Sequence, residues 1–291
     1  MKFHNPIDPG CYADPEARFY EGKYYIYATR SLPFRDQLNQ DAFCSTDLRH
    51  FEKIEGVIAM EDFPWITNAV WAPTIVEKEG VYYYVFASNN IQKDGEAGGL
   101  EIARSESPRG PFRGYLGKPL VGRFVNGAQP IDAHLFKDDD GSIYLYFGGW
   151  GHCNVAKMND TMDGFVPLPG GEEFLEITPP DYVEGPCMMK HGGQYYFMWS
   201  AGGWTDGSYH VNYTKASSPL GPFTEAHPIL SANPPLAEGP GHHGYLELPE
   251  GKTLIVYHRR ECGDKNANHR YLCIDEMRFD ESGDILPVEM T

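Results

Sequence analysis

Three features of this 291-residue sequence predict an all-β fold arranged as a five-bladed β-propeller. An opening, a Gly turn and a Tyr-rich strand occur together five times, each copy is followed by a further strand-like segment, and no amphipathic helix or Ser/Gly/Pro linker breaks the series. Sheets that cannot bury both faces alone are satisfied by packing radially around an axis. The rival arrangement, a pair of β-sandwiches, gives no reason for repetition in register. The whole span 1–291 is therefore read as a single propeller domain.

The first copy, YADPEARFYEGKYYIYATRS, opens at Asp14 and is followed by AFCSTDLRHFEK. In the second, WAPTIVEKEGVYYYVFASNN, Trp71 precedes the opening at Ala72, and LEIARSESPRGPF follows. The third, IDAHLFKDDDGSIYLYFGGWG, opens at Asp132 and leads to CNVAKMNDTMDGF. The fourth, VEGPCMMKHGGQYYFMWSAGG, opens at Glu184 and leads to HVNYTKASSPLGPF. The fifth, GHHGYLELPEGKTLIVYHRR, opens at His242 and leads to RYLCIDEMRFDESG. In each, aromatic and β-branched residues favour strand, and the intervening Gly supplies the tight turn. With a fourth strand, each unit of roughly 55 residues makes one antiparallel sheet.

Composition narrows the function. The 41 acidic against 24 basic residues leave a formal charge of −17, which argues against nucleic acid or an anionic membrane as partner, because both need clustered positive charge. A small, neutral, hydroxyl-rich ligand suits the chain better. Aromatics at 14%, 32 Gly and 23 Pro exclude a helical bundle and a disordered chain alike. No apolar run approaches the roughly 18 residues of a membrane span, and MKFHNPIDPGCYADP lacks the apolar core of a signal peptide, so a cytoplasmic location is expected. The six dispersed cysteines read as free thiols.

In a propeller the first residues of the inner strands converge at one end of the axial channel. Here that brings together Asp14, Asp132, Glu184, His242 with His243, and the Trp71 indole. One acid at a strand start is ordinarily a turn cap, but three at repeat-equivalent positions repel one another and point to chemistry. Two carboxyl groups facing a sugar suffice to hydrolyse a glycosidic bond. The apolar flanks Val183, Gly185 and Pro186 favour a protonated Glu184 as general acid; Asp14, the shorter acid, suits a base; Asp132 is close enough to Glu184 to oppose ionisation of both.

The segments NPIDPGCYADP, VWAPTIV, PIDAHLFKDDDG, VEGPCMMK, GPGHHGYLELPEGKTLIVYH and RYLCIDEMRFDESGDILPV, in this order, resemble those of glycoside hydrolase family 43. That resemblance implies an inverting hydrolase on a five-bladed propeller, with Asp14 as general base, Glu184 as general acid and Asp132 tuning the acid. It also implies that Arg270 contacts sugar hydroxyls and that His242 helps hold a calcium ion on the axis with several waters. Trp71, Trp150 and Trp204 are candidates for stacking on a sugar face. The reading favours an exo-acting β-xylosidase with α-L-arabinofuranosidase side activity on small oligosaccharides. The alternatives are an endo- or exo-arabinanase and a non-catalytic carbohydrate-binding propeller. Loops 29–42, 89–99 and 261–269 are the candidates to close over the site.

Overall fold

The computed structural model describes residues 3–291. Among these residues the only helical pieces are two short 3-10 turns, Phe34–Asp36 and Met60–Asp62; strands dominate. Blade I holds β1 (Tyr12–Tyr20), β2 (Lys23–Arg30), β3 (Gln40–Ser45) and β4 (Glu52–Ile54). Blade II holds β5 (Trp71–Lys78), β6 (Val81–Ser88), β7 (Gly99–Ser105) and β8 (Arg113–Gly114). Blade III comprises β9 (His134–Lys137), β10 (Ile143–Phe147), β11 (Asn154–Met158), β12 (Phe165–Val166) and β13 (Leu175–Glu176). Blade IV comprises β14 (Glu184–His191), β15 (Gln194–Ala201), β16 (His210–Ala216) and β17 (His227–Leu230). Blade V has β18 (Glu238–Glu247), β19 (Thr253–Arg260) and β20 (Tyr271–Met277). Every blade is an antiparallel meander, with β13 as an extra partner of β11.

Local sequence explains the meanders. The hairpin tips Glu21–Gly22, Glu79–Gly80 and Gly192–Gly193 place two successive residues at positive φ, the turn geometry whose twist matches the flanking strands. The inner strands β1, β5, β9, β14 and β18 touch in sequence, and β18 returns to β1, which closes the ring. Five apolar clusters fill the five wedges between neighbouring blades. Val85 and Ile102 of blade II meet Leu135 and Phe147 of blade III, and Met198 of blade IV meets Tyr257 and Cys273 of blade V. The wedge between blades V and I joins Leu254 and Ile274 to Ile26 and Phe43. Full burial of each such side chain contributes about 1.5–3 kcal/mol, so every blade depends on both neighbours.

The expectation of four strands in every unit holds for blades I, II and IV, while blade III has five and blade V has three. In blade V the outer edge of β20 is instead covered by the chain's first described residues. Ile7 N–H donates to Leu272 O at 2.9 Å, and the Asn5 side chain exchanges two 2.9 Å hydrogen bonds with the Ile274 backbone. This segment blunts the exposed sheet edge without being a regular strand. All six cysteines are unpaired.

Candidate active site

Four of the five inner strands are interrupted near the same height. The pairing registers shift between Ala13 and Glu16, Trp71 and Thr74, Glu184 and Cys187, and Gly241 and Gly244, the signature of a β-bulge. Within these bulges Asp14, Ala72, Gly185 and His242 take positive φ, and Asp132 does so just ahead of β9. Such a conformation is costly for residues other than Gly and clusters at functional sites. At Gly185 there is a second reason for glycine, since a Cβ there would approach the His242 ring and the Ser200 hydroxyl to 3.2 Å. The registers also correct the repeat alignment. Glu184 is equivalent to Trp71, one residue ahead of the level that Asp14, Ala72, Asp132 and His242 share.

Asp14 is buried among cations and dipoles. Arg270 Nη1 donates to its Oδ1 at 3.2 Å, and His242 Nδ1 and His258 Nδ1 lie 3.4 and 3.6 Å from the same oxygen. Burial alone would raise its pKa, but the charge of Arg270, then His242 and His258, and a hydrogen bond from Thr29 outweigh it and hold the carboxyl below the usual range. Arg270 is itself fixed, with Nε donating to Ser31 Oγ at 2.9 Å and its guanidinium carbon 5.2 Å from the Trp204 ring centroid.

Across the pocket the balance is reversed. Burial, then the negative charges of Glu184 and Asp14, drive Asp132 well above the carboxylate range, against a Gly185 backbone N–H and Arg270. Burial also lifts Glu184 to about 7; a hydrogen bond from Tyr209 Oη, 2.8 Å from Oε1, pulls it down, and Asp14 pushes it up. At neutral pH this side of the pocket therefore retains a proton while Asp14 is ionised. His242 Nδ1 lies 3.4 Å from Asp14 and 3.5 Å from Asp132, and its backbone N–H donates to Ser200 Oγ at 2.9 Å. Burial pushes its pKa down, and Asp14 opposes that.

The cavity over these groups measures about 320 Å³. That is at the small end of the roughly 300–1,000 Å³ usual for ligand pockets, enough for one sugar ring and its linkage. Asp14, Asp132, Glu184, His242 and Arg270 form its floor, and Phe34, Trp71, Trp150 and Trp204 its walls. Trp71 Nε1 donates to Gln37 Oε1, and its ring meets Phe34 edge-on at 4.8 Å. Trp150 is 55% exposed at the rim, the placement expected of an indole that stacks on a sugar. Asn90 and Gln129 add polar wall groups, with Gln129 Nε2 donating to Asn90 Oδ1 at 2.9 Å.

Of the residues expected from sequence, Asp14, Trp71, Asp132, Glu184, His242 and Arg270, with Trp150 and Trp204, line one cavity, whereas His243, expected beside His242, does not. Tyr209 and His258 were missed, because neither lies on an inner strand: Tyr209 immediately precedes β16 and His258 is on β19. The available signal was a His directly after the apolar run LIVY of β19.

The axis beneath the pocket bears on the calcium ion. Calcium takes six to eight oxygen ligands. The nearest carboxylate below Asp14 on the same strand, Glu16, has both oxygens committed. Oε1 accepts from Arg18 and from Ala17 N–H, and Oε2 accepts from Thr74 Oγ1 at 2.8 Å and lies 3.3 Å from His134 Nδ1. The unpartnered buried groups here are the two ring nitrogens of His243, which burial, His242 and His134 push to about 3. Among the described residues no three His, Cys, Asp or Glu side chains converge as a metal site. A calcium ion here would thus rest on one imidazole and waters alone, with no free oxygen on Glu16 to balance its charge.

Comparison with known proteins agrees with this geometry. The family model for glycosyl hydrolases family 43 matches residues 3–285. A β-D-galactofuranosidase of Aspergillus niger is 43% identical over 304 residues, covering 100% of this chain and 86% of that protein. A β-xylosidase of Xylanibacter ruminicola is 27% identical, covering 95% and 96%. Among solved structures, a thermostable family-43 glycoside hydrolase superposes with a TM-score of 0.81 at 25% identity, covering 100% and 96%. An α-L-arabinofuranosidase from Clostridium thermocellum superposes with a TM-score of 0.78 at 29% identity, covering 96% and 94%.

Proposed function

Because the chain belongs to glycoside hydrolase family 43, we propose that it is an inverting exo-glycosidase that releases single furanose residues from non-reducing ends, with β-D-galactofuranosides and α-L-arabinofuranosides as its substrate class. The observation that carries this reading is the division of charge within one cavity: Asp14 held ionised, and Glu184 and Asp132 pushed toward the protonated form. Glu184 donates its proton to the glycosidic oxygen as the bond to the anomeric carbon breaks. Asp14 takes a proton from the water that attacks the opposite face of that carbon, so the anomeric configuration inverts. Asp132 keeps the acid loaded, and Arg270 keeps the base ionised while offering N–H groups to a sugar hydroxyl. After product leaves, proton exchange with solvent restores both carboxyl groups.

A cavity of about 320 Å³ favours removal of one terminal residue over endo cleavage of a polymer. The preference for furanosides over the xylosides expected from sequence rests on the 43% identity to a galactofuranosidase across the whole chain. The two furanosides share ring stereochemistry and differ by one hydroxymethyl group, so one pocket accommodates both. Para-nitrophenyl β-D-galactofuranoside, α-L-arabinofuranoside and β-D-xyloside assayed side by side test this, with NMR of the first-formed anomer. The expected result is faster turnover of a furanoside with inversion; faster turnover of the xyloside overturns the substrate assignment, and retention overturns the mechanism.

A further inference from the structure

Below the pocket the propeller axis is occupied by a side-chain cluster that the reaction does not use. Arg18, two residues beyond Glu16 on β1, reaches across the channel with four N–H bonds. Nε donates to Ile75 O of blade II at 3.2 Å, Nη2 to Leu135 O of blade III at 3.0 Å, and Nη1 to Ala17 O at 3.0 Å and to Glu16 Oε1. Its guanidinium carbon lies 5.8 Å from the ring centroid of Tyr245 in blade V. Blade IV joins through His134, whose Nε2 is 3.0 Å from Met188 O, while its Nδ1 faces Glu16. Thr74 links Glu16 to blade III, accepting from Leu135 N–H at 2.9 Å while donating to Glu16. The cluster therefore touches the inner strand of every blade. Arg18 also lines a 300 Å³ depression at the opposite mouth of the axis from the catalytic cavity.

We propose that Arg18, paired with Glu16, is the resident cation of the axis, and that it ties the five inner strands together in place of a bound metal ion. A buried carboxylate with its four hydrogen-bonding partners in place requires a positive charge nearby, and the guanidinium supplies one that cannot dissociate or lose its proton. Its planar array of donors also satisfies carbonyl oxygens of three strands at once, a task a hydrated ion performs through its waters. A divalent ion added to this axis would meet a fixed positive charge and committed carboxylate oxygens.

Thermal denaturation of the full chain tests the proposal. The native protein is expected to show the same Tm in EDTA and in calcium chloride. Arg18→Met, which keeps the aliphatic stem and removes the charge, is expected to lower Tm by about 5–10 °C, because it strands a buried carboxylate. Adding Glu16→Gln to Arg18→Met, or supplying calcium to Arg18→Met, is expected to recover part of that loss. A native Tm that falls in EDTA and returns with calcium overturns the proposal, as does an unchanged Tm in Arg18→Met. A loss in Arg18→Met that neither Glu16→Gln nor calcium recovers assigns Arg18 to packing alone and overturns it too.

Discussion

Asp14 in blade I and Asp132 in blade III are the same residue type at the same repeat position, with φ of 52° and 55°, both buried at the top of the axis. Their proton affinities are nevertheless driven in opposite directions. Blade V, beside Asp14, delivers Arg270, His242 and His258, whereas blade IV, beside Asp132, delivers Glu184. The fold repeat aims the carboxyl groups, and the adjoining blade decides which one holds a proton. On the proposed mechanism, two carboxyl groups in like positions serve as a base and a proton reservoir.

The largest expected effect comes from removing the ionised member. Asp14→Asn, which tolerates the positive φ, should lower kcat by about 10³-fold or more with little change in Tm. Near-native turnover would leave the base unassigned. Glu184→Gln should cost about 10²–10⁴-fold on an alkyl furanoside and far less on one with a good leaving group, since only the former needs the proton. Equal losses on both substrates would break the division of labour.

Arg270→Met should reduce kcat/KM by roughly 10–100-fold, in keeping with a lost charged hydrogen bond. It should also move the acid limb of the pH profile. Asp14 acts only when ionised, so activity falls as pH drops through its depressed pKa; without the guanidinium that limb shifts to higher pH. An unmoved acid limb would mean that Arg270 serves the substrate alone. The alkaline limb is expected to follow Glu184, whose proposed role as acid requires the protonated form, so activity should decline as pH rises through about 7. Tyr209→Phe removes the bond that favours the ionised form and should shift this limb upward, with a change of only a few-fold in kcat.

The smallest effect is on stability. The folded-state pKa of Glu184 is above its unfolded value, so the native chain loses stability as pH rises from about 4.5 to about 7. Glu184→Gln has no such loss. Its Tm should exceed that of the native protein by a few degrees at pH 8 and by less at pH 5. A constant difference across that range would remove the burial argument.

Much of this arrangement was legible in the residues alone, since a five-fold repeat and its third strands follow from turn chemistry and alternation. LEIARSESPRGPF contains β7 and HVNYTKASSPLGPF contains β16. The convergence of Asp14, Trp71, Asp132, Glu184 and His242 followed from the same repeat, whereas Arg270 was reached only through the family resemblance. The one-residue offset of Glu184 was hidden because a bulge adds a residue to one strand without any change in hydrophobic pattern. The raised Glu184 pKa was expected from its sequence neighbours, whereas burial by the whole fold and the charge of Asp14 raise it and Tyr209, from elsewhere in the fold, lowers it. Arg18 escaped notice because a charged residue near the end of a strand reads as solvent-facing until the other blades surround it.

The hydrogen bonds between Asn5 and Ile274 join residues 269 positions apart. During synthesis Asn5 must therefore wait for another 269 residues before it meets its partner strand. Contacts of such long sequence separation slow folding and leave an edge unsatisfied in the interim. The same closure links the assembly of blade I to that of blade V, which carries Arg270 and His258. A chain whose ring has not joined therefore lacks the Arg270 and His258 contacts that hold the Asp14 carboxyl below the usual range.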